Sequence, residues 1–238
     1  MRSRLGRLIG RHVVVGGLAG AIVWAFWSSR PQWDPEMRLW KAVGDSGFVL
    51  LTATLVVGPL GRLWPAARRA MTWRRQIGTW FGLTIIVHAF LVLNGWARWE
   101  LERFLGYEFI PQLGTTARLE PGFGLANILG VVALFWTLVL LATSSDRAAR
   151  ALGGQAWKFL HTSAYVIFWV AIVHVTYFLF IHYTASFHRA VPPPDWFRWP
   201  FLALAGMVVV LQAAAFARTT RSARRRRAGA GRTAAATR

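Results

Sequence analysis

The sequence predicts an all-α fold, a polytopic membrane bundle of six transmembrane helices with both termini cytoplasmic. Three observations predict it. The chain is 55% hydrophobic, with 14 Trp and 16 Phe but only 9 acidic residues among 238, and its apolar residues fall in blocks too long for an ordinary soluble domain. Six of these blocks approach the roughly 20 apolar residues that a crossing helix requires. The basic residues, finally, gather in alternate loops, as the positive-inside rule demands.

The first run, residues 13–27, follows Arg2, Arg4, Arg7 and Arg11 and ends in Trp24, Phe26 and Trp27. A basic start and a short apolar centre also describe a signal peptide, but no A-x-A-like cleavage site follows, so the run reads as an uncleaved helix. It is short for a span, which draws in Leu8 and Ile9 and leaves Arg11 snorkelling towards the headgroups. Residues 48–64 form the second span, where Gly58-Pro59 predicts a kink. The third, 76–97, opens after Trp73-Arg74-Arg75 and carries Gly78 and Gly82, a pair spaced for close helix packing. The fourth covers 124–142 and the fifth 157–180. Pro192-Pro193-Pro194 forces an extended linker before the sixth, 197–217. One domain thus covers residues 1–217, and the basic tail, 218–238, is expected to be cytoplasmic and disordered.

With odd-numbered helices running outward, 20 of the 28 basic residues lie in cytoplasmic segments, and eight of the nine acidic residues, all but Asp146, lie outside. That partition is expected of a multi-pass protein of a bacterial inner membrane. A net charge of +19 in a soluble chain would suggest nucleic acid. Here the Arg-rich tail reads instead as a stop-transfer signal and a contact for anionic membrane lipids, with no nucleic-acid partner. About twenty residues after the sixth helix cannot make a nucleotide-binding domain, and Gly122-Phe123-Gly124 lacks the third glycine of a dinucleotide fingerprint. The chain has no cysteine. That excludes disulfides, iron–sulfur clusters and covalent haem attachment, so any haem must be held non-covalently.

Chemistry inside the membrane rests with histidine, because an ionisable side chain there is costly and faces the bundle interior. His161 and His174 share the fifth span and His88 lies in the third. His88 and His174 fall at similar depth in the outer half of two helices running the same way, so they can face each other. Two neutral imidazoles from facing helices are what bis-histidine ligation of a b-type haem iron requires. The competing reading is that each merely hydrogen-bonds a carbonyl. His161 lies 13 residues earlier, near the inner end, where the matching level of helix three holds Arg75. Either a second haem sits there with His161 as one ligand, or Arg74, Arg75 and His161 line a pocket for haem propionates, a quinol headgroup or a docked flavin. On an ideal helix, 13 residues leave His161 and His174 about 140° apart, which tilt or bending must absorb. His182 and His188 fall in the following outer loop and read as solvent-exposed. Trp80, Phe81, Phe168 and Trp169 could flank a macrocycle, although lipid contact or core packing is the simpler role.

Three stretches together resemble a known family: SGFVLLTATLVVGPLGR from Ser46, WRRQIGTWFGLTIIVH from Trp73, and LATSSDRAARALGGQAWKFLHTSAYVIFWVAIVH from Leu141. They are similar to the ferric-reductase-like transmembrane domain, over residues 46–180, and within it to the haem-binding membrane subunits of periplasmic methionine-sulfoxide reductase systems. The resemblance implies six helices, one or two haem b groups, and His88, His161 and His174 as ligands to haem iron. It further implies electron delivery from a cytosolic flavin reductase or quinol, with FMN or a quinone as further cofactors, to a periplasmic molybdopterin reductase. The chain would then be an electron-transfer subunit, not the one that converts the substrate. The outer loops at 98–123 and 182–196 look longer than in those subunits, and no dehydrogenase half is present. Two alternatives are a free-standing ferric or quinone-linked reductase and a non-redox membrane scaffold or transporter with structural histidines.

Overall fold

The computed structural model describes residues 4–118, 121–182 and 194–236. Its organising element is α2, Pro35–Leu63, which packs against α1 (Arg4–Ser28), α3 (Arg74–Leu91), α8 (Ala164–Thr176) and α9 (Arg198–Ala236). Phe48, Leu50, Leu51 and Leu55 on α2 are buried among neighbouring helices, and two thirds of its most apolar window is enclosed by protein. Among the described residues, six helices are long and apolar enough to cross a membrane. The other five show most of their surface outside the bundle, as helices ringed by lipid should.

The helix α2 begins well before the expected residue 48. Pro35 occupies its first turn, where a missing N–H costs nothing, and the Asp34 carboxylate accepts from the backbone N–H groups of Glu36 and Met37. It runs through Pro59 without ending. A 3₁₀ segment, Pro65–Trp73, then turns the chain into α3. Gly78 and Gly82 serve packing: a Cβ at Gly78 would stand 3.6 Å from Thr54 of α2, and one at Gly82 would stand 3.3 Å from Leu141 of α5 (Pro121–Ala142).

Both α3 and α8 finish in a π-helical turn, Val92–Trp96 and Tyr177–His182 respectively. Between α3 and α5 the chain makes a short helix, α4 (Leu101–Phe104), and an antiparallel hairpin of β1 (Tyr107–Ile110) and β2 (Thr115–Arg118), a small excursion from an otherwise helical fold. The short helix α6 (Asp146–Leu152) and α7 (Gly154–Thr162) precede α8. The expected fifth helix is therefore two, interrupted at Ser163, whose hydroxyl turns back to the Leu160 carbonyl at 2.6 Å. That interruption removes the ideal-helix constraint on the directions of His161 and His174.

Helix α9 continues past Ala217 to Ala236. Alanine and arginine are strong helix formers, and a membrane helix already supplies the costly nucleus from which they extend. His188, Pro192 and Pro193 lie outside the described residues.

Where α1, α2 and the approach to α9 meet, a buried charge cluster ties the chain together. Arg30, fully buried, donates to Asp45 at 2.5 Å and to Asp195 at 2.8 Å, and Lys41 lies 2.9 Å from the other Asp195 oxygen. The guanidinium lies beside the stacked pair of Phe26 and Trp196, at 5.3 and 5.6 Å from their ring centres. Burial alone would raise the Asp195 pKa, but Lys41 and Arg30 outweigh it and hold the carboxyl below its ordinary value.

Candidate functional site

His88 and His174 open onto one cavity of about 250 Å³ inside the bundle. Its walls are apolar, with Phe48 and Leu51 from α2, Phe81 and Ile85 from α3, and Ile167 and Val175 from α8. Of the four aromatics considered as macrocycle neighbours, Phe81 lines this space, Phe168 is buried core, and Trp169 is exposed on the outside of the bundle. Trp80 lies against α1 at Gly16.

Each histidine is held in the same way. His88 Nδ1 is 3.0 Å from the carbonyl of Trp40 on α2, and His174 Nδ1 is 2.7 Å from the carbonyl of Ala126 on α5. A carbonyl oxygen can only accept, so each ring carries its proton on Nδ1 and leaves the Nε2 lone pair unprotonated. One turn beyond each carbonyl stands a glycine. A Cβ at Gly44 would come 2.8 Å from His88 Cε1, and one at Gly130 would come 3.0 Å from His174 Cε1. A side chain at Gly44 would require the His88 ring to shift, and one at Gly130 would crowd the His174 ring. Both rings lie 48 residues from their carbonyl partners, so α2–α3 and α5–α8 make two like clasps on one cavity.

The two readings of these histidines therefore combine. Binding a carbonyl through Nδ1 is the arrangement that orients a metal-ligating imidazole and raises the basicity of its other nitrogen. The donor set fits a haem iron, with two neutral imidazoles lining one apolar space.

His161 is placed differently. Its Nε2 lies 3.3 Å from the Thr143 hydroxyl, its ring stacks on Trp157 with centres 4.1 Å apart, and it does not line the cavity. Arg74 donates to the Thr54 carbonyl at 3.2 Å, and Arg75 pairs with Asp146 at 2.5 Å. These residues share the opposite end of the bundle from Arg30, as the sequence expects, but the structure does not gather Arg74, Arg75 and His161 around the large cavity.

Sequence reasoning missed His182. It belongs to the π-helical end of the fifth span, half-buried, and lines the cavity beside Phe123, with ring centres 5.1 Å apart. The available signal was its spacing, eight residues beyond His174, which matches Trp96 beyond His88. In an α-helix eight residues leave side chains about 80° apart. The wider π turn after each histidine takes up that difference, and both Trp96 and His182 reach the cavity wall.

Residues 43–170 match the family described as the ferric reductase like transmembrane component, a stretch that includes Gly44, His88, Gly130 and His161 and stops just short of His174. Two relatives are subunits named protein-methionine-sulfoxide reductase heme-binding subunit MsrQ. The chain is 30% identical to that of Salmonella arizonae over 156 residues, 64% of this chain and 71% of the other. It is 28% identical to that of an Enterobacter species over 166 residues, 68% and 76% of the respective lengths. With the match covering more than half of its residues, the chain belongs to the ferric reductase like transmembrane component family.

Proposed function

We propose that this protein is a membrane b-type cytochrome. It would pass electrons from a cytosolic flavin reductase or quinol across the inner membrane to a periplasmic molybdopterin methionine-sulfoxide reductase of the MsrP type. The observation that carries the reading is the pair of clasps: His88 and His174, each fixed through Nδ1 to a neighbouring helix, present Nε2 to one apolar cavity. Similarity to subunits named as heme-binding supports it. Haem, when bound, supplies the one-electron chemistry.

The chain's own residues do the rest. His88 and His174 would hold the haem iron, and the Trp40 and Ala126 carbonyls fix their rings through Nδ1. Phe48, Phe81 and Ile167 exclude water from the centre of the bundle. At the other end His161, Arg74 and Arg75 would form the entry station, where His161 would hold a second haem or the arginines would receive the anionic part of a flavin, a propionate or a quinol headgroup. The partition of basic residues supports both termini in the cytoplasm, which places the His88–His174 level nearer the periplasm.

The test is an absorbance spectrum of the purified protein, oxidised and then reduced with dithionite. A Soret band that shifts on reduction, with haem extractable by acidified acetone as a non-covalent group must be, is the expected result. A folded protein expressed with haem available and showing no such band would overturn the reading.

A further inference from the structure

We infer that a lateral cleft between α8 and α9 is a quinol-binding site, in which Tyr165 and Gln212 hold the headgroup and Phe168 separates it from the haem cavity. This rests on the haem reading above and selects, of the two donors named there, the one that dissolves in lipid. The cleft, of about 280 Å³, is lined by Tyr165, Phe168 and Trp169 from α8 and by Val208, Val209 and Gln212 from α9. Trp169 and Val209 are exposed on the outside of the bundle, so its mouth faces the surrounding lipid. Tyr165 and Gln212 lie well inside their spans, Gly154–His182 and Arg198–Arg224. A ligand at that depth arrives through the bilayer, which a quinol can do and a charged flavin cannot.

The polar pair in this apolar cleft is half-committed. Gln212 donates through Nε2 to the Tyr165 hydroxyl, and the same nitrogen leans towards the Leu55 carbonyl of α2 at 3.5 Å. A carbonyl only accepts, which fixes the amide nitrogen on that side. The Tyr165 oxygen accepts from the amide, so its own O–H is left to donate and Gln212 Oε1 is left to accept. Neither has another partner among the described residues. Uncommitted polar atoms facing hydrocarbon are costly. One donor and one acceptor suit both redox forms of a quinone: a quinol hydroxyl donates to Oε1, and a quinone carbonyl accepts from Tyr165. An acyl chain would use neither.

The cleft also backs onto the cavity of the two clasps. Phe168 is buried and stacks on Phe48, with ring centres 6.3 Å apart, and Phe48 and Ile167 line that cavity. One pair of aromatic rings thus lies between the two spaces. Oxidation of one quinol breaks two O–H bonds and leaves a quinone. Its two electrons reduce ferric haem in two successive turns, and its two protons pass to water at the inner face, the end towards which His161 lies four residues before Tyr165.

The experiment uses decylubiquinone and its quinol with the full-length detergent-solubilised protein. Binding is read by equilibrium dialysis, and a photoreactive azidoquinone locates it by peptide mapping; neither readout requires haem. Label should fall on α8 and α9 around Tyr165 and Gln212. Tyr165→Phe and Gln212→Leu should each weaken quinone binding about tenfold, the loss of one hydrogen bond, and slow haem reduction by decylubiquinol while leaving reduction by dithionite unchanged. Val209→Trp fills the cleft from the lipid side and leaves the polar pair intact, so it serves if the other variants do not fold, and it should exclude the quinone. Wild-type protein that binds no quinone would overturn the inference and leave the cleft to an acyl chain. So would label confined to the Arg74–His161 end, unchanged binding in all three variants, or equal slowing of reduction by decylubiquinol and by dithionite. Quinone labelling of α8 and α9 in a protein without a Soret band would instead overturn the haem reading and uphold the cleft as a quinone site.

Discussion

The α2–α3 and α5–α8 halves of the bundle build their histidine clasps alike and everything else differently. In each, a carbonyl seats the ring, a glycine one turn on makes room for it, and a π turn beyond the histidine closes the wall. Away from the clasps, α2 carries Asp45 in a buried ion-pair cluster where α5 has Val131, and α3 runs unbroken where the other half divides at Ser163. At the level below the clasp, α3 has Arg75 and the other half has His161. The difference teaches that the two halves share the histidine seats themselves, while the charges beside the clasps and the level below them are asymmetric. In the proposed function, a single cofactor held from both sides would account for the shared seats, and an entry station that need not be symmetric would account for the level below.

The largest effect should come from filling the glycine seats. Gly44→Leu and Gly130→Leu would each drive a side chain into a histidine ring that already lies within about 3 Å of the missing Cβ, and both should abolish haem retention. If only one did so, the two halves would not be equivalent. The alanine variants give a graded version, with overpacking costing typically 1–3 kcal/mol, and Gly44→Ala the more severe because its ring is closer.

Next in size is the cluster that only the first half possesses. Arg30→Met leaves Asp45 and Asp195 buried without their common cation, and removing one partner of a buried pair costs roughly 3–5 kcal/mol. Thermal unfolding in detergent should register that loss. A variant as stable as the wild type would remove the cluster from the account of how α1 and α9 are held on α2.

A smaller effect follows from pH. Asp195 sits below its ordinary pKa, so its ion pairs contribute fully above the unfolded value of about 3.9 and are lost as pH falls through the lower folded value. Stability should therefore be insensitive to Asp195 between neutral pH and about pH 5, then decline more steeply in the wild type than in Asp195→Asn. Parallel acid limbs for the two proteins would contradict this.

Much of this could be read from the sequence, because lipid-facing helices and loop charges are local features. Six apolar runs marked the spans, and His88 and His174 were at matched depth by counting from Arg75 and Lys158. What escaped depends on contacts between distant residues. Arg30 joins Asp195 across 165 positions, and no hydropathy profile shows that a charged residue at a span's end is paired. The early start of α2 lay in the Asp34-Pro35-Glu36 capping signal, which apolar counting passes over. His182 looked like a loop residue because the π turn that carries it to the cavity extends the helix beyond the apolar run. The Ser163 break has no glycine or proline to announce it.

The smallest spectral effect should come from His161→Ala. The residue lies outside the cavity and its Nε2 is occupied by Thr143. Its loss should leave the His88–His174 level spectrally intact while slowing reduction from the cytosolic side.

The central claim is that one cofactor is gripped by both clasps, and low-temperature electron paramagnetic resonance of the oxidised single variants tests it most directly. The account predicts a low-spin bis-imidazole signal in the wild type that persists in His161→Ala and disappears, as the same component, from both His88→Ala and His174→Ala. If the two variants lost different components, or if His161→Ala and His174→Ala lost the same one, the clasps would serve separate sites and the account would be wrong.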